Sequence, residues 1–218
     1  MKVGTDGVLL GAWVNLNKAR RILDVGTGTG LIALMMAQRL AAQITGIELD
    51  KNAADEAAQN CADSPWSNRI TIINLPFQNY SETASPGFDL IISNPPFFVN
   101  NQKSKNNRLA IAKHNDLLPF SDLIEGSIRL LDQNGRLAII LPVAPALTFI
   151  ELAARDGLYL NRLTEVRPNS RKQVHRYLME FGKNKTAPIK DCLHIHRDDI
   201  VDFTPEYKKL TGEFYLNF

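Results

Sequence analysis

The sequence predicts an α/β fold with a doubly wound, mostly parallel seven-stranded sheet that contains one antiparallel strand. Short apolar segments rich in β-branched residues alternate with helical segments along the 218 residues, which is typical of parallel sheets with right-handed crossovers. A polar loop joins the last two apolar segments and suits an antiparallel return strand. The length is that of one α/β domain, so residues 1–218 are expected to form a single domain.

Each element is predicted from its hydrophobic period and its flanking turn residues. Apolar residues at helical spacing indicate helices at Asp6–Leu16, Leu31–Leu40, Asn52–Cys61, Phe120–Leu131 and Ala146–Asp156. Short apolar runs indicate strands at Arg21–Val25, Ile44–Ile47, Ile70–Ile73, Phe88–Ile92, Arg136–Leu141, Leu160–Val166 and Tyr177–Phe181. Between the fourth strand and the fourth helix, residues 99–115 are polar and rich in Asn and Lys, and we interpret them as a substrate loop.

A glycine-rich loop joins the first strand to the second helix. Its sequence is Asp24-Val25-Gly26-Thr27-Gly28-Thr29-Gly30, and an apolar helical segment begins at Leu31. Glycines let the backbone pass close beneath a ligand, and the helix that follows offers N–H groups. A dinucleotide fingerprint counted from Gly26 needs glycine where Leu31 stands, so the loop disfavours NAD.

An acidic residue, Glu48, ends the second strand. At this place a carboxylate can accept hydrogen bonds from both hydroxyls of a ribose. The glycine loop and Glu48 together therefore predict a site for a nucleoside-containing cofactor.

The fourth strand is followed by Asn94-Pro95-Pro96-Phe97. The prolines fix φ and remove two N–H donors, which leaves carbonyl groups able to accept. The Asn94 amide oxygen and the Pro95 carbonyl can accept both hydrogens of an exocyclic amino group, while Phe97 stacks on its heterocycle. The simpler interpretation is a turn that ends a strand.

Net charge is only +2, but it is unevenly distributed. Residues 101–190 contain 15 Lys and Arg against 8 Asp and Glu, whereas the rest of the chain is acidic. A basic rim beside an active site suits a polyanionic substrate, because phosphate contacts supply most non-specific affinity for nucleic acids. A solvated face is the other interpretation of any one of these residues. The candidate RNA contacts are Lys103, Lys105, Arg108, Arg171, Lys172, His175 and Arg176.

Cysteine content and hydropathy indicate the redox environment of the chain and whether it crosses a membrane. Cys61 and Cys192 are far apart and show no metal-ligand spacing, which favours a reduced, cytoplasmic environment and no metal site. The longest apolar stretch, near residues 137–150, is interrupted by two prolines and is too short to cross a bilayer. We expect no membrane partner, and the oligomeric state stays unknown.

The order of glycine loop, Glu48 and Asn94-Pro95-Pro96-Phe97 resembles class I S-adenosylmethionine-dependent methyltransferases that modify amino groups. The chain is more closely similar to the bacterial tRNA adenine N6-methyltransferases that modify position 37, beside the anticodon of a valine tRNA. Further similar segments are residues 1–13, 64–66, 89–96, 175–176 and 206–216.

The resemblance implies a class I methyltransferase, Rossmann-like domain, S-adenosylmethionine as cofactor and tRNA as partner. It implies cofactor contacts at Asp24, Gly26, Thr27, Gly28, Gly30, Glu48, Leu49, Phe77 and Asn94. It implies that Asn94, Pro95, Pro96 and Phe97 carry catalysis.

The chain departs from this family at two places. Family members carry a short segment before the stretch Lys2-Val3-Gly4-Thr5-Asp6-Gly7, so part of a cofactor lid or RNA-binding edge is expected to be missing. The family also tends to place an aspartate after the third strand, to accept from the cofactor's adenine amino group. Here Pro76 stands there, so adenine recognition is expected to depend on Phe77 and neighbouring backbone.

Other functions stay open at this point. The Asn-Pro-Pro motif alone does not choose between tRNA adenine and the guanine N2 of rRNA, DNA adenine or a protein glutamine. Glutamine-modifying enzymes normally carry a helical amino-terminal domain, for which the chain has no room. A non-catalytic RNA- or cofactor-binding module is a further alternative, because fold does not determine function.

Overall fold

The computed structural model describes residues 4–96, 118–198 and 202–216. Its helices are α1 (Thr5–Trp13), α2 (Leu31–Arg39), α3 (Lys51–Ala62), α4 (Phe77–Thr83), α5 (Phe120–Leu130), α6 (Val143–Arg155) and α7 (Pro205–Thr211), with short 3-10 turns at Ser67–Arg69 and Gly212–Phe214. Its strands are β1 (Arg21–Val25), β2 (Gln43–Glu48), β3 (Ile70–Asn74), β4 (Phe88–Ser93), β5 (Leu131–Pro142), β6 (Tyr159–Arg167), β7 (Arg176–Gly182) and β8 (Ile189–His194).

All eight strands form one sheet in the order β3-β2-β1-β4-β5-β7-β6-β8. β7 pairs antiparallel with both of its neighbours, whereas every other pairing is parallel. The order reverses beside β1, and open α/β sheets bind ligands at the carboxyl ends of strands at such a point. The predicted α/β class, the mostly parallel sheet and the antiparallel return strand are confirmed.

Helices cover both faces of the sheet. Leu9 of α1, Met36 of α2 and Tyr207 of α7 belong to the hydrophobic core on one face. Ile124 of α5 and Phe149 of α6 belong to the core on the other face. The central strands are apolar on both sides because they are buried between these two layers.

The number of strands is corrected from seven to eight. β8 was not predicted because it is an edge strand, and four of its six residues, Ile189 to Cys192, are exposed and show no apolar alternation. The seven-residue helices α4 and α7 were also missed, since they are too short and too polar to show a helical period.

Several boundaries also differ from the prediction. α1 ends at Trp13 rather than Leu16, because Val14 already has extended backbone. α6 begins at Val143 rather than Ala146, because Pro145 lies in its first turn, where the helix needs no N–H from it. β5 extends back to Leu131, directly after α5.

Candidate active site

Three chain segments meet at the carboxyl ends of β1, β2 and β4. Val25 is the register partner of Ile47 on one side and of Ser93 on the other. The residues that follow these three are the glycine loop, Glu48 and Asn94, so parallel pairing alone brings them together. The Ser93 hydroxyl donates to the Val25 carbonyl at 2.8 Å, which fixes the start of the Asn-Pro-Pro turn against the glycine loop.

The glycine loop adopts left-handed backbone at alternate residues. Gly26, Gly28 and Gly30 have φ values of 71°, 59° and 84°, a region that side chains disfavour. The Gly28 N–H donates to Glu48 Oε2 at 2.8 Å, and the Asp50 N–H donates to Glu48 Oε1 at 3.0 Å. Backbone donors therefore orient the Glu48 carboxylate beside the loop.

Asp24 lies beneath this loop and is fully buried. Its Oδ2 accepts from the Thr27 hydroxyl at 2.6 Å and from the Ala33 N–H at 3.1 Å. Burial raises the pKa of Asp24 to about 7 against the lowering effect of these two hydrogen bonds. Burial, and then the neighbouring Asp24, raise the pKa of the Cys61 thiol to about 11. Asp24 thus joins the loop to the first turn of α2.

A cavity of about 480 Å³, which we call the first cavity, lies above the glycine loop. Of the residues expected to bind cofactor or acceptor, its wall contains Gly26, Thr27, Gly28, Glu48, Leu49, Phe77, Asn94 and Pro96. Asp24 and Gly30 do not line it, which corrects the expectation that they would. Asp24 supports the loop from below, and Gly30 is the residue before α2, packed towards α3.

The residues present fit S-adenosylmethionine. The volume is within the range of small-ligand sites. A Cβ placed on Gly26 would meet no protein atom within 4 Å, so the backbone there is open to close approach by a ligand. A carboxylate has about four acceptor positions, so Glu48 can accept from ribose hydroxyls in addition to its two backbone donors. Leu49 is 46% exposed on the same wall and offers apolar surface to a flat ring.

Sequence reasoning missed several residues on this wall. Gly4 and Gly7 come from the start of α1, and a Cβ on Gly7 would lie 3.9 Å from the Asn94 amide nitrogen. Leu75, Gln78 and Leu118 also line the cavity. The similarity of the amino-terminal segment to the family was the available signal for Gly4 and Gly7. No local pattern marks the other three.

Phe77 occupies a different environment from that expected. It begins α4 and is 4% exposed, with its ring packed among the core residues of α5. A Cβ on Gly126 of α5 would collide with that ring. The phenyl ring therefore serves chiefly as core, and only a small part of Phe77 reaches the cavity.

A second cavity, of about 790 Å³, adjoins the first. Gly4, Asn94 and Pro96 line both cavities, and Pro95 lines the second. The far wall comes from the segment between β6 and β7, from the residues just after β8 and from α7. Asn94 therefore stands at the junction of the two cavities.

The structure divides the predicted RNA contacts. His175 and Arg176 line the second cavity, but Arg176 is partly buried and its Nε lies 2.8 Å from Asp6 Oδ2. Arg171 and Lys172 are exposed and line neither cavity, and Arg171 lies 3.8 Å from the Asp198 carboxylate. Phe97, Lys103, Lys105 and Arg108 lie outside the described residues.

The described residues contain neither a membrane-spanning helix nor a metal-binding cluster. No helix in the described ranges is long and apolar enough to cross a membrane. Within residues 4–96, 118–198 and 202–216, no group of three or more His, Cys, Asp or Glu side chains is arranged to hold a metal ion.

Known proteins match this chain along its whole length. The model of the methyltransferase small domain family matches residues 4–144. The tRNA1(Val) (adenine(37)-N6)-methyltransferase of Trichodesmium erythraeum is 42% identical over 221 residues, which cover 100% of this chain and 92% of that protein. The enzyme of the same name from Flavobacterium psychrophilum is 42% identical over 218 residues, which cover 99% of this chain and 93% of that protein.

Solved structures share the fold at lower identity. A protein described as a predicted O-methyltransferase from Agrobacterium tumefaciens has a TM-score of 0.74 at 23% identity and covers 95% of this chain and 96% of its own. The glycopeptide N-methyltransferase MtfA, solved with S-adenosylmethionine, has a TM-score of 0.61 at 12% identity and covers 84% of this chain and 90% of its own.

The resemblance predicted from the sequence is confirmed. The chain belongs to the methyltransferase small domain family and, within it, to the tRNA1(Val) (adenine(37)-N6)-methyltransferases, enzymes that use S-adenosylmethionine.

Proposed function

We propose that this protein transfers a methyl group from S-adenosylmethionine to the N6 atom of adenine 37 in a valine tRNA. Relatives about 40% identical over 91–93% of their own length bear this activity in their names. The observation that carries the proposal is the position of Asn94 and Pro96 on the walls of both cavities. An amino group held by the Asn-Pro-Pro turn lies between a cofactor cavity and a cavity able to take its base.

Residues of the first cavity would hold the cofactor. The backbone of Gly26 and Gly28 would face it, and Glu48 would accept from its ribose. When bound there, S-adenosylmethionine supplies an electrophilic methyl group. Asn94, at the junction, orients the acceptor towards that cavity, and such positioning supplies much of the rate of a two-substrate reaction.

The Asn-Pro-Pro turn would also change the acceptor nitrogen. The N6 lone pair of adenine is delocalised into the ring and is a poor nucleophile. The Asn94 amide oxygen and the Pro95 carbonyl would accept its two hydrogens, which favours a more pyramidal nitrogen with a localised lone pair. No residue has to act as a general base, because the nitrogen becomes acidic once it carries the methyl group. Phe97 would stack on the base.

A tRNA substrate indicates how the base is reached and where in the cell the protein acts. Position 37 lies in a loop that is already single-stranded, so the adenine can leave its stack at a lower cost than in a duplex. We place the protein in the cytoplasm, where tRNA is modified, and treat residues 1–218 as one methyltransferase domain. The exposed basic residues near the second cavity, and Lys103, Lys105 and Arg108, would contact RNA phosphates.

The test is Asn94→Ala with an unmodified valine tRNA transcript. We expect kcat for methyl transfer to fall by at least about 100-fold, whereas S-adenosylmethionine affinity measured by calorimetry should change by no more than a few-fold. Asn79→Ala is the matched control, because Asn79 is exposed on α4 and lines neither cavity. Turnover of Asn94→Ala within a few-fold of the wild type would reduce Asn94 to a turn residue.

The acceptor needs its own test. Nucleosides of tRNA from cells that lack the protein should be mapped by mass spectrometry. N6-methyladenosine should be absent at position 37 of valine tRNA and restored by the wild-type protein. An unchanged nucleoside map would contradict this acceptor and favour rRNA, DNA or protein as substrate.

A further inference from the structure

The far wall of the second cavity is aromatic. The ring of His196 stacks on Phe203 with centroids 4.8 Å apart and planes 25° apart. Phe203 stacks in turn on Tyr207, at 5.0 Å and 17°. All three rings line the second cavity, and in this stack His196 is the terminal ring. The stack therefore begins at the second cavity with the partly buried His196 and Phe203 and ends in the core with Tyr207, which is only 2% exposed.

Backbone contacts hold this stack in place. The His196 N–H donates to the Pro168 carbonyl at 2.8 Å, and the Thr204 N–H donates to the Ile195 carbonyl at 2.9 Å. His196 and Phe203 form an isolated antiparallel bridge, which sets their rings side by side. The Thr204 hydroxyl donates to the His194 carbonyl at 2.5 Å and caps α7 through the Tyr207 N–H. The stack is thus built before any ligand arrives.

Hydrogen bonding within the described residues does not explain the position of the His196 ring. Its Nδ1 is buried and has no hydrogen-bond partner among the described residues, and the side chain as a whole is only partly buried. A histidine kept for internal hydrogen bonding would show a partner at that nitrogen. The contact that positions this ring is its stacking on Phe203, which makes it a platform rather than a member of a polar network.

We propose that the His196 end of this stack is the platform on which the acceptor adenine lies, with the amino group of the base directed to Asn94. Unpaired bases are recognised in proteins by stacking on aromatic side chains, including histidine. Every ring of the stack lies beyond residue 144, where the match to the methyltransferase small domain model ends. The shared domain therefore forms the cofactor cavity, and the carboxyl-terminal segment selects a purine. This inference rests on the proposed function.

The test compares two RNAs and three variants. A valine anticodon stem-loop is made with adenine or with an abasic site at position 37, and its affinity is measured by fluorescence anisotropy, without methyl transfer. The ratio of the two affinities reports base recognition alone. His196→Ala should reduce this ratio roughly tenfold, in line with the stacking contribution of a single base. His196→Phe retains a ring without nitrogens and should keep most of the ratio.

His194→Ala is the matched control. His194 lies two residues earlier on β8, contacts Cys192 and does not line the second cavity, so this variant should behave as wild type. S-adenosylmethionine affinity should be unchanged in all three variants, which establishes that the first cavity is intact. The melting temperature of His196→Ala should fall by no more than a few degrees, as expected for the loss of one ring contact.

Separate outcomes overturn the inference and the proposed function. If the wild type favours adenine over the abasic site and His196→Ala does so equally, the platform is elsewhere. If His196→Phe loses the preference as fully as His196→Ala, the imidazole nitrogens and not stacking read the base, and the platform is wrong. A wild type that transfers no methyl group to valine tRNA would overturn the proposed function, and this inference with it.

Discussion

Gly28 has a backbone conformation that favours glycine and also supplies a backbone donor to the site. Its φ of 59° is in the left-handed region, and its N–H orients the Glu48 carboxylate on the wall of the first cavity. A β-branched residue is a strong outlier at positive φ. We expect Gly28→Val to lower S-adenosylmethionine affinity by at least about 100-fold, because the loop would have to move away from the cofactor.

Calorimetry with purified protein tests this expectation. Gly157→Val is the control, because Gly157 also has positive φ, 91°, but follows α6 away from the first cavity. It should cost stability without changing the affinity of the folded protein. Equal S-adenosylmethionine affinity in Gly28→Val and wild type would show that the glycine loop does not contact the cofactor.

Asp24 makes stability depend on pH. Its pKa rises from an ordinary 3.8 to about 7 in the folded protein, so the folded state binds this proton more tightly than the unfolded chain. The free energy of unfolding should therefore decrease as pH rises from about 4 to about 7 and level off above that range. One pKa unit corresponds to about 1.4 kcal/mol, so this contribution is on the order of a few kcal/mol.

Asp24→Asn removes this titration. Urea denaturation at several pH values should show that the wild type loses stability relative to Asp24→Asn between about pH 4 and pH 7. The sign is the reverse of that for a carboxylate stabilised by a cation. A wild-type-minus-variant difference that is constant across this range, or that grows with pH, would contradict the pKa assigned to Asp24.

At the scale of elements, one ion pair joins α1 to β7 at the wall of the second cavity. Arg176 Nε lies 2.8 Å from Asp6 Oδ2, and the two side chains are 16% and 24% exposed. Removing one partner leaves the other charge partly desolvated. We expect Asp6→Ala and Arg176→Ala each to lower the free energy of unfolding by about 1–3 kcal/mol.

A double-mutant cycle measures the pair itself. The double variant should lose less than the sum of the single variants by about 1 kcal/mol. Lys51 and Asp55 provide the comparison, since they lie 2.7 Å apart on α3 but are 73% and 64% exposed. Their coupling should be only about 0.3–0.5 kcal/mol. Equal coupling in the two pairs would show that burial adds nothing to the Arg176 contact.

Elements with a strong period could be predicted from the sequence, and those without one could not. β1, β2 and β4 were found because buried parallel strands are short apolar runs, and the residues at their ends followed from topology. β8 and α7 carry no such period. Their positions depend on contacts far along the chain, such as the Thr204 hydroxyl with the His194 carbonyl. The aromatic wall of the second cavity was therefore missed.

The same limit applies to site residues. Glu48 and Asn94 could be assigned to one site because Glu48 ends a strand and Asn94 directly follows another. Phe77 lies on the wall of the first cavity as expected, but the sequence does not show that most of its ring packs against α5. Likewise, Arg176 resembles a surface phosphate contact in the sequence, whereas the fold pairs it with a residue 170 positions earlier.

At the scale of the whole molecule, charge should govern encounter with RNA. Arg171 and Lys172 are exposed beside the segment that lines the second cavity. Replacing both with alanine should weaken tRNA binding and lower the slope of log affinity against log salt by about 1.5–2 units, if each contacts one phosphate. Arg176 is left intact because its loss would disturb α1. Identical slopes for wild type and double variant would show that Arg171 and Lys172 do not contact RNA phosphates.

The position of the aromatic stack beyond residue 144 bears on how such enzymes diversify. On the proposed base platform, substitutions between β6 and the carboxyl terminus would alter which base is accepted, while the glycine loop and Glu48, more than 100 residues earlier, would continue to bind the cofactor. Cofactor binding and the choice of target base would then depend on different segments of the chain and could change separately in evolution. A chimaera that joins this cofactor half to the tail of a relative with another acceptor should retain donor binding and take the tail's preference.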